Sequence, residues 1–390
     1  MSWPIARLGD VATAHYGKAL KEGERNPAGS YTVFGSSGPV GTHSETLFKD
    51  PMIVIGRKGS VGDVTYAPSG GWAIDTTYYL QLHQPDRLDL RYLYWALSHA
   101  RLGERAITTS IPGLNRDELY RARIPLPPLA EQRRIAAMLD KADAVRRKRR
   151  ESLKLLDDFL RSAYMAIVGP MATGYEAWPR VRTAELAVGD NAMRTGPFGS
   201  ALRHSEFVDS GIAVLGIDNA VQNRFSWGER RFITREKYEK FKRYRVKPRD
   251  VIVTIMGTTG RSAVVPDDIP LAMSTKHLAV ITVDRSRVDP TFLSYAIHSD
   301  PTVLSQIAAA NRGAIMAGLN LGIIKRLQLR VPPLVRQEAF ASVVAHGYGI
   351  QGRLRLARGH ADRLFDALTQ RAFSSMESVT AHPSASGSHE

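Results

Sequence analysis

Two short runs bracketed by glycine carry most of the chemical promise of this chain. Gly59-Ser60-Val61-Gly62 and Gly257-Thr258-Thr259-Gly260 each follow an apolar stretch, and cations stand beside both: Arg57 and Lys58 at the first, Arg261 at the second. Backbone amides unshielded by side chains, hydroxyls and fixed positive charge together suit a phosphate or a base edge. The same spacing also makes a tight strand-to-strand turn, so both readings stand. Arg194 and Lys276 add further cations of the kind that address guanine. Asn115 and Asn320, in equivalent loops, carry amides able to address adenine, although asparagine also forms turns for its own sake. Which bases any of them reads is not written in the sequence.

Bond-making chemistry finds no comparable support. A metal-dependent nuclease of the common type needs an acidic residue two positions before a lysine, to hold a cation beside the attacking water; no lysine here has one. The phosphate cradle G-x-x-x-x-G-K-[ST] is missing, since Gly17-Lys18 runs into Ala19. An amino-methyltransferase would show Asn or Asp before a Pro-Pro pair, but Leu126 and Val331 precede the two pairs present. The eleven histidines are scattered, with no H-E-x-x-H and no ligand spacing.

The elements that must position the glycine runs occur twice. Trp3-Pro4 returns as Trp178-Pro179, Leu114-Asn115 as Leu319-Asn320, and Ile124-Pro-Leu-Pro-Pro-Leu-Ala-Glu-Gln132 as Leu329-Arg-Val-Pro-Pro-Leu-Val-Arg-Gln337, all in the same order. A repeat this long is a tandem domain pair, not a solenoid. Short apolar segments such as Met52-Ile-Val-Ile-Gly56 and Thr77-Tyr-Tyr-Leu-Gln-Leu82 read as strands. Leu90, Leu93, Tyr94 and Leu97 predict a helix from Leu90 to Leu102. After each Pro-Pro pair a long helix is expected, from Leu129 to about Ile167 and from Pro333 to about Phe373; the first is about 57 Å long at the usual rise. A seam steps through Ile135, Met138, Ala142, Val145, Arg149, Ser152, Leu156, Phe159 and Ala163, and another through Phe340, Val343, Gly347, Ile350, Leu354, Ala357, Ala361, Leu364 and Leu368. The two predict an antiparallel pair. Arg146-Arg147-Lys148-Arg149-Arg150 interrupts the first helix with five cations, either a solvated stretch or a contact with DNA or an acidic partner. Between Gly228 and Asp250 the second copy carries an insertion mixing cations with aromatics. In the second helix Val335-Arg336 replaces Ala130-Glu131, so the acidic start that suits a helix N-terminus is absent.

Composition narrows the partner. The 390 residues carry a net charge of +15 with 43% hydrophobic residues and no cysteine, a pI near 10.0 and mean hydropathy of -0.22. That is ordinary for a globular chain, and the charge favours a polyanion whose counterions are released on binding. Disulfides and thiolate metal sites are excluded. No apolar stretch approaches the roughly 20 residues that span a bilayer, and the N-terminal residues lack a signal-peptide plan; the expected location is the cytoplasm, with no membrane partner.

The runs Tyr16-Gly-Lys-Ala-Leu-Lys21, Tyr31-Thr-Val-Phe-Gly-Ser-Ser-Gly38, Ile53-Val-Ile-Gly-Arg-Lys-Gly-Ser-Val-Gly62, Trp72-Ala-Ile-Asp-Thr-Thr-Tyr78 and Ile124 to Ile135, followed by Thr195-Gly-Pro-Phe-Gly-Ser-Ala-Leu-Arg203, Gly211-Ile-Ala-Val-Leu-Gly216 and Gly257 to Gly260, resemble the DNA specificity subunits of type I restriction-modification enzymes. The resemblance extends to about Ser374. It implies an α+β fold: two strand-rich target-recognition domains in tandem, each followed by a long helix, the helices pairing as an antiparallel coiled coil. The expected boundaries are a first recognition domain over 1–128, a helix over 129–168, a linker over 169–177, a second recognition domain over 178–332, a helix over 333–373 and a flexible tail over 374–390. Each domain would read one half of a bipartite double-stranded DNA target, with Arg57, Lys58, Ser60, Asn115, Arg194, Thr258, Thr259, Arg261, Lys276 and Asn320 as candidate contacts. Two modification (methyltransferase) subunits and the ATP-dependent restriction subunits would be partners. The chain itself would hold no catalytic residue, metal or cofactor, S-adenosylmethionine being bound by the modification subunits. The alternatives are a stand-alone tandem DNA-binding regulator and a recognition module of a fused restriction-methylation enzyme; co-purification with a methyltransferase chain separates them from the main reading.

Overall fold

A computed structural model describes residues 3–105, 113–189, 191–197, 202–310 and 318–377. The first module runs through β1 (Ile5–Arg7), α1 (Leu8–Val11), β2 (Ala12–Tyr16), β3 (Tyr31–Gly35), β4 (Gly38–His43), β5 (Met52–Gly56), β6 (Val64–Ala67), β7 (Trp72–Ala73), β8 (Thr77–Leu82), α2 (Leu90–His99), α3 (Arg116–Tyr120) and β9 (Arg123–Pro125) into the long helix α4 (Leu129–Ile167). The second runs through β10 (Arg180–Arg182), β11 (Met193–Thr195), β12 (Ile212–Leu215), β13 (Phe232–Ile233), α5 (Arg235–Phe241), β14 (Arg245–Val246), β15 (Val251–Thr254), β16 (Ser262–Val264), β17 (Ala272–Ser274), β18 (Leu278–Ile281), α6 (Pro290–Ser299), α7 (Pro301–Ala310), α8 (Leu321–Arg326) and β19 (Gln328–Arg330) into α9 (Leu334–Glu377).

The duplication holds at the level of strand order. An antiparallel sheet β2-β8-β5-β6 has its counterpart in β11-β18-β15-β16, and β1 pairs with β9 as β10 pairs with β19. In each smaller sheet one parallel pair survives, β3 with β7 and β12 with β17. The cation-rich insertion is a folded part of the second small sheet: it supplies β13, α5 and β14, and its charges engage acids, Arg235 with Glu239 at 3.3 Å, Lys240 with Glu236 at 2.8 Å and Lys237 with Glu206 at 2.5 Å.

Contacts divide the chain across both long helices, not at their starts. One unit comprises residues 1–150 and 356–390, the other 151–355. Each therefore contains a strand-rich module and part of both helices. In the first unit Ile135, Leu139 and Ala142 of α4 share a core with Phe365 and Phe373 of α9 and with α2. In the second, Leu160 and Tyr164 of α4 pack with Phe340 and Val344 of α9 and with α6. Pairing there is antiparallel: Tyr164 meets Phe340 edge-on at 5.6 Å, a Cβ on Gly347 would lie 2.8 Å from Leu160, and the Gln351 amide donates to Asp157 at 2.8 Å.

The predicted helix starts and the antiparallel pairing match the structure; the seam matches in part, with Ile135, Ala142, Phe340, Gly347 and Ala361 buried as expected. Val145, Phe159, Ile350 and Leu364 are exposed, whereas Leu139, Leu160, Tyr164, Val344 and Phe365 are buried. The expected stripe steps uniformly by threes and fours, but an unsupercoiled helix drifts relative to that step, and the module packed against each segment selects the large residues one position away. The shorter helix ends at His99 instead of Leu102, and α9 continues to Glu377, so the first residues of the tail expected from Ser374 are helical. Residues 378–390 and 198–201 of the second-module motif lie outside the described residues.

Candidate nucleic-acid interface

The two glycine runs are turns closing β5 to β6 and β15 to β16. Gly59 (φ 78°), Gly62 (φ 83°), Gly257 (φ 69°) and Gly260 (φ 77°) all occupy the left-handed region, where other residues are strained. The Gly62 amide donates to the Gly56 carbonyl at 2.8 Å and the Gly260 amide to the Thr254 carbonyl at 2.9 Å. These bonds turn the intervening residues outward: Lys58, Ser60, Thr258 and Arg261 are exposed, with Arg57 and Thr259 half-buried. The structure bears out the tight-turn reading, and the turns leave donors facing solvent.

Each turn is braced from the side. The Leu114 amide donates to the Arg57 carbonyl at 3.0 Å and the Leu319 amide to the Ile255 carbonyl at 2.9 Å. Behind these braces Asn115 and Asn320 have a definite task. Asn115 caps α3, its Oδ1 accepting from the Glu118 amide at 2.7 Å; Asn320 caps α8, accepting from the Ile323 amide at 2.9 Å. Their side-chain oxygens belong to helix N-termini, the ordinary place for asparagine. Arg194 is corrected more firmly. Only 6% exposed, it donates to Asp250 at 2.6 Å, to the Arg245 carbonyl and to Thr282. Moving it to DNA would leave Asp250, itself 1% exposed, buried without its counter-charge.

Backbone bonds give the equivalences the sequence leaves ambiguous. The Arg57 amide donates to Thr76 and the Ile255 amide to His277, both at 2.9 Å, so Lys276 stands where Asp75 stands in the first module. By the same register Ile255 and Met256 replace Arg57 and Lys58, and Arg261 replaces Asp63. The second turn face therefore carries its cations where the first has Asp63 and Asp75, and apolar residues where the first has Arg57 and Lys58. Lys276 is half-buried beside Arg231 and Thr275 in a cavity of about 330 Å³. Burial, helped by Lys276 and Arg231, pushes the neighbouring His277 below the usual imidazole value.

The mid-helix cations are partly spent within the first unit. Arg146 lies 3.8 Å over the Phe365 ring and 3.1 Å from Asp143; Arg147 pairs with Asp143 at 3.0 Å, and Arg150 approaches Asp362 at 3.9 Å. The solvated-stretch reading and the DNA-spacer reading both give way, for Arg146, to a role in holding the helices together.

Two residues that sequence reasoning quoted without a role tie each module to its helix. Gln132 is 1% exposed; its Oε1 accepts from the Asp89 amide at 2.8 Å, and its Nε2 donates to the Arg87 and Pro127 carbonyls at 3.0 and 2.8 Å. Gln337, fully buried, repeats the pattern with the Asp289 amide and the Arg287 and Pro332 carbonyls. Their recurrence after each Pro-Pro pair was the available signal. The acidic helix start does differ as expected: Glu131 pairs with Arg134 at 2.7 Å, while Arg336 instead stacks 5.8 Å from the Trp178 ring.

Among the described residues there is no cluster of metal-ligating side chains and no helix long and apolar enough to cross a membrane. Residues 2–155 match the family described as type I restriction modification DNA specificity domain. The chain is 23% identical over 319 residues to the type I restriction enzyme EcoBI specificity subunit of Escherichia coli, covering 74% of this chain and 66% of that one. It is 20% identical over 313 residues to the MjaVIII specificity subunit of Methanocaldococcus jannaschii, covering 77% and 73%. In fold it is similar to a type I restriction-modification S subunit from M. genitalium, with a TM-score of 0.64, 15% identity and coverage of 95% and 96%. A chain from a structure addressing complex assembly and conformational transition of the type I system gives a TM-score of 0.52 at 16% identity, with coverage of 95% and 97%.

Proposed function

We propose, from the match of residues 2–155 to the type I restriction modification DNA specificity domain and the likeness to two specificity subunits, that the chain belongs to that family and is the sequence-reading, non-catalytic subunit of such an enzyme in the cytoplasm. Each module reads one half of a bipartite duplex target through its glycine-bracketed turn. The observation that carries this is the pair of braced turns with outward donors and differently placed cations. Their common frame suits one task performed twice, and their different side chains suit two different half-sites. Lys58, Ser60, Thr258, Arg261 and Lys276 are the contacts retained, with Arg57 and Thr259 beside them.

The helix pair leaves apolar side chains uncovered in each unit, Val145 and Leu364 in one, Phe159 and Ile350 in the other. Exposed apolar side chains on both helices of the pair suit a protein partner. We assign these to two modification subunits, which bind S-adenosylmethionine and perform methyl transfer; restriction subunits join the assembly through them. Both long helices pass from one unit into the other and set the spacer between half-sites.

The test is binding and methylation by the purified chain with and without a modification subunit. The chain alone should bind duplex DNA with log affinity falling against log salt by about 0.9 per neutralised phosphate, and should methylate only when the partner is added. Methyl transfer by the chain alone would overturn the reader-only assignment.

A further inference from the structure

One cluster in the first module has no counterpart among the described residues of the second. Tyr16, the last residue of β2, keeps 48% of its surface exposed. The Arg116 guanidinium lies 4.5 Å from the centre of its ring and that of Arg57 5.3 Å from the same centre. The adjacent Arg116 guanidinium holds the Tyr16 phenol below its usual value. Arg57 is anchored by donation from Nη2 to the Asp75 carbonyl at 2.8 Å, and its Nε is buried with no hydrogen-bond partner. Tyr78 supports the platform from behind, its ring 5.1 Å from that of Tyr16 and its hydroxyl donating to the Leu114 carbonyl at 3.1 Å. Burial pushes the Tyr78 phenol up to about 12, which keeps it a donor. The cluster borders the Gly59 to Gly62 turn, because Leu114 braces Arg57 directly. In the second module Thr195, Ile255 and Leu321 stand at the places of Tyr16, Arg57 and Arg116, so neither ring nor guanidinium is present.

A guanidinium stacked on a fixed ring loses its rotational freedom and offers its remaining donors in a set plane. Neutralising a phosphate needs no such restraint, and the exposed Lys58 next to it can do that. Two planar forks around one aromatic suit an edge with two acceptors side by side, which in the major groove is the O6 and N7 edge of guanine. We propose that Arg57 and Arg116, oriented by Tyr16, read guanine in the half-site bound by the first module, and that the second module reads its half-site without this device. The proposal rests on the reading that the modules bind duplex DNA.

Its test is selection of bound sequences from a random duplex pool by the full-length chain, as wild type and as Arg57→Lys, Arg116→Lys and Tyr16→Ala. The lysine variants keep the charge and lose the fork; Tyr16→Ala removes the support. Each should relax a guanine position in one half-site, with a loss of preference of roughly tenfold or more, while the other half-site is selected as before and so reports an intact fold. Weaker binding to all sequences with a shallower salt slope would make these residues phosphate contacts and overturn the proposal. An unchanged motif, or relaxation in both half-sites, would also overturn it. If the wild-type chain selects no bipartite sequence, the DNA-reading assignment itself fails and the guanine clamp falls with it.

Discussion

Replacing Gln132 by leucine removes three hydrogen bonds at once and leaves the Asp89 amide and the Arg87 and Pro127 carbonyls facing an apolar side chain. Each lost bond costs about 1 kcal/mol net, and each buried group left unpaired about 1–3 kcal/mol. Allowing for partial relaxation, about 3–5 kcal/mol is expected, a large share of the stability of one unit. Because Gln132 and Gln337 lie in different units, each substitution should act on one unit. Urea unfolding followed by hydrogen exchange resolved along the chain would show this. Gln132→Leu should lower the midpoint for residues 1–150 by about 1–2 M and leave 151–355 near wild type, and Gln337→Leu should do the reverse. Gln132→Glu sharpens the test. Its carboxylate would face two carbonyls, so its folded pKa must rise above the unfolded value. The penalty is then greatest at neutral pH and shrinks as the pH falls towards the unfolded carboxyl value, where protonation restores one donor. A Gln132→Leu chain within 0.5 kcal/mol of wild type, or a glutamate variant whose deficit does not shrink in acid, would refute the assignment of these residues as the lock between module and helix.

Arg194→Met should destabilise the second unit by about 3–5 kcal/mol by stranding Asp250, with the selected DNA motif unaltered in the protein that remains folded; a changed motif at unchanged stability would restore Arg194 as a DNA contact. Burial pushes the His298 imidazole, hydrogen-bonded to Ser262 at 2.9 Å, down to about 3. Its folded value is depressed, so below about pH 6.5 the unfolded chain takes up a proton that the folded chain refuses, and stability falls with decreasing pH. Thermal melts should lose about 1 kcal/mol per pH unit between 6.5 and 5 through this residue, and His298→Asn should flatten that slope; equal slopes in both proteins would contradict it.

The architecture was legible because duplication supplies two readings of each element. Paired landmarks marked the strands, the turns and both long helices, and Pro-Pro fixed the helix starts. The inner face of the helices was legible only in part: Ile135, Ala142, Phe340 and Ala361 are buried as the stepping predicts, but Val145 and Phe159 fit a heptad as well as Leu139 and Leu160 do, and only the module packed against them decides. Asn115 and Arg194 illustrate the limit at the site. An amide in a loop and a cation in a strand look available in sequence, whereas a capped helix and a buried carboxylate 56 residues away claim them in the fold. Tyr16 was overlooked for the opposite reason: its guanidinium neighbours come from segments about 40 and 100 residues distant in sequence.

The central claim, one module to one half-site, is tested most directly by exchanging residues 1–128 for the equivalent module of a relative with a different target and sequencing the methylated sites made by the reconstituted complex. The expected result is a hybrid motif in which one half-site is replaced, the other kept, and the spacer length retained. Simultaneous change of both half-sites, or retention of the original motif in an active complex, would contradict it.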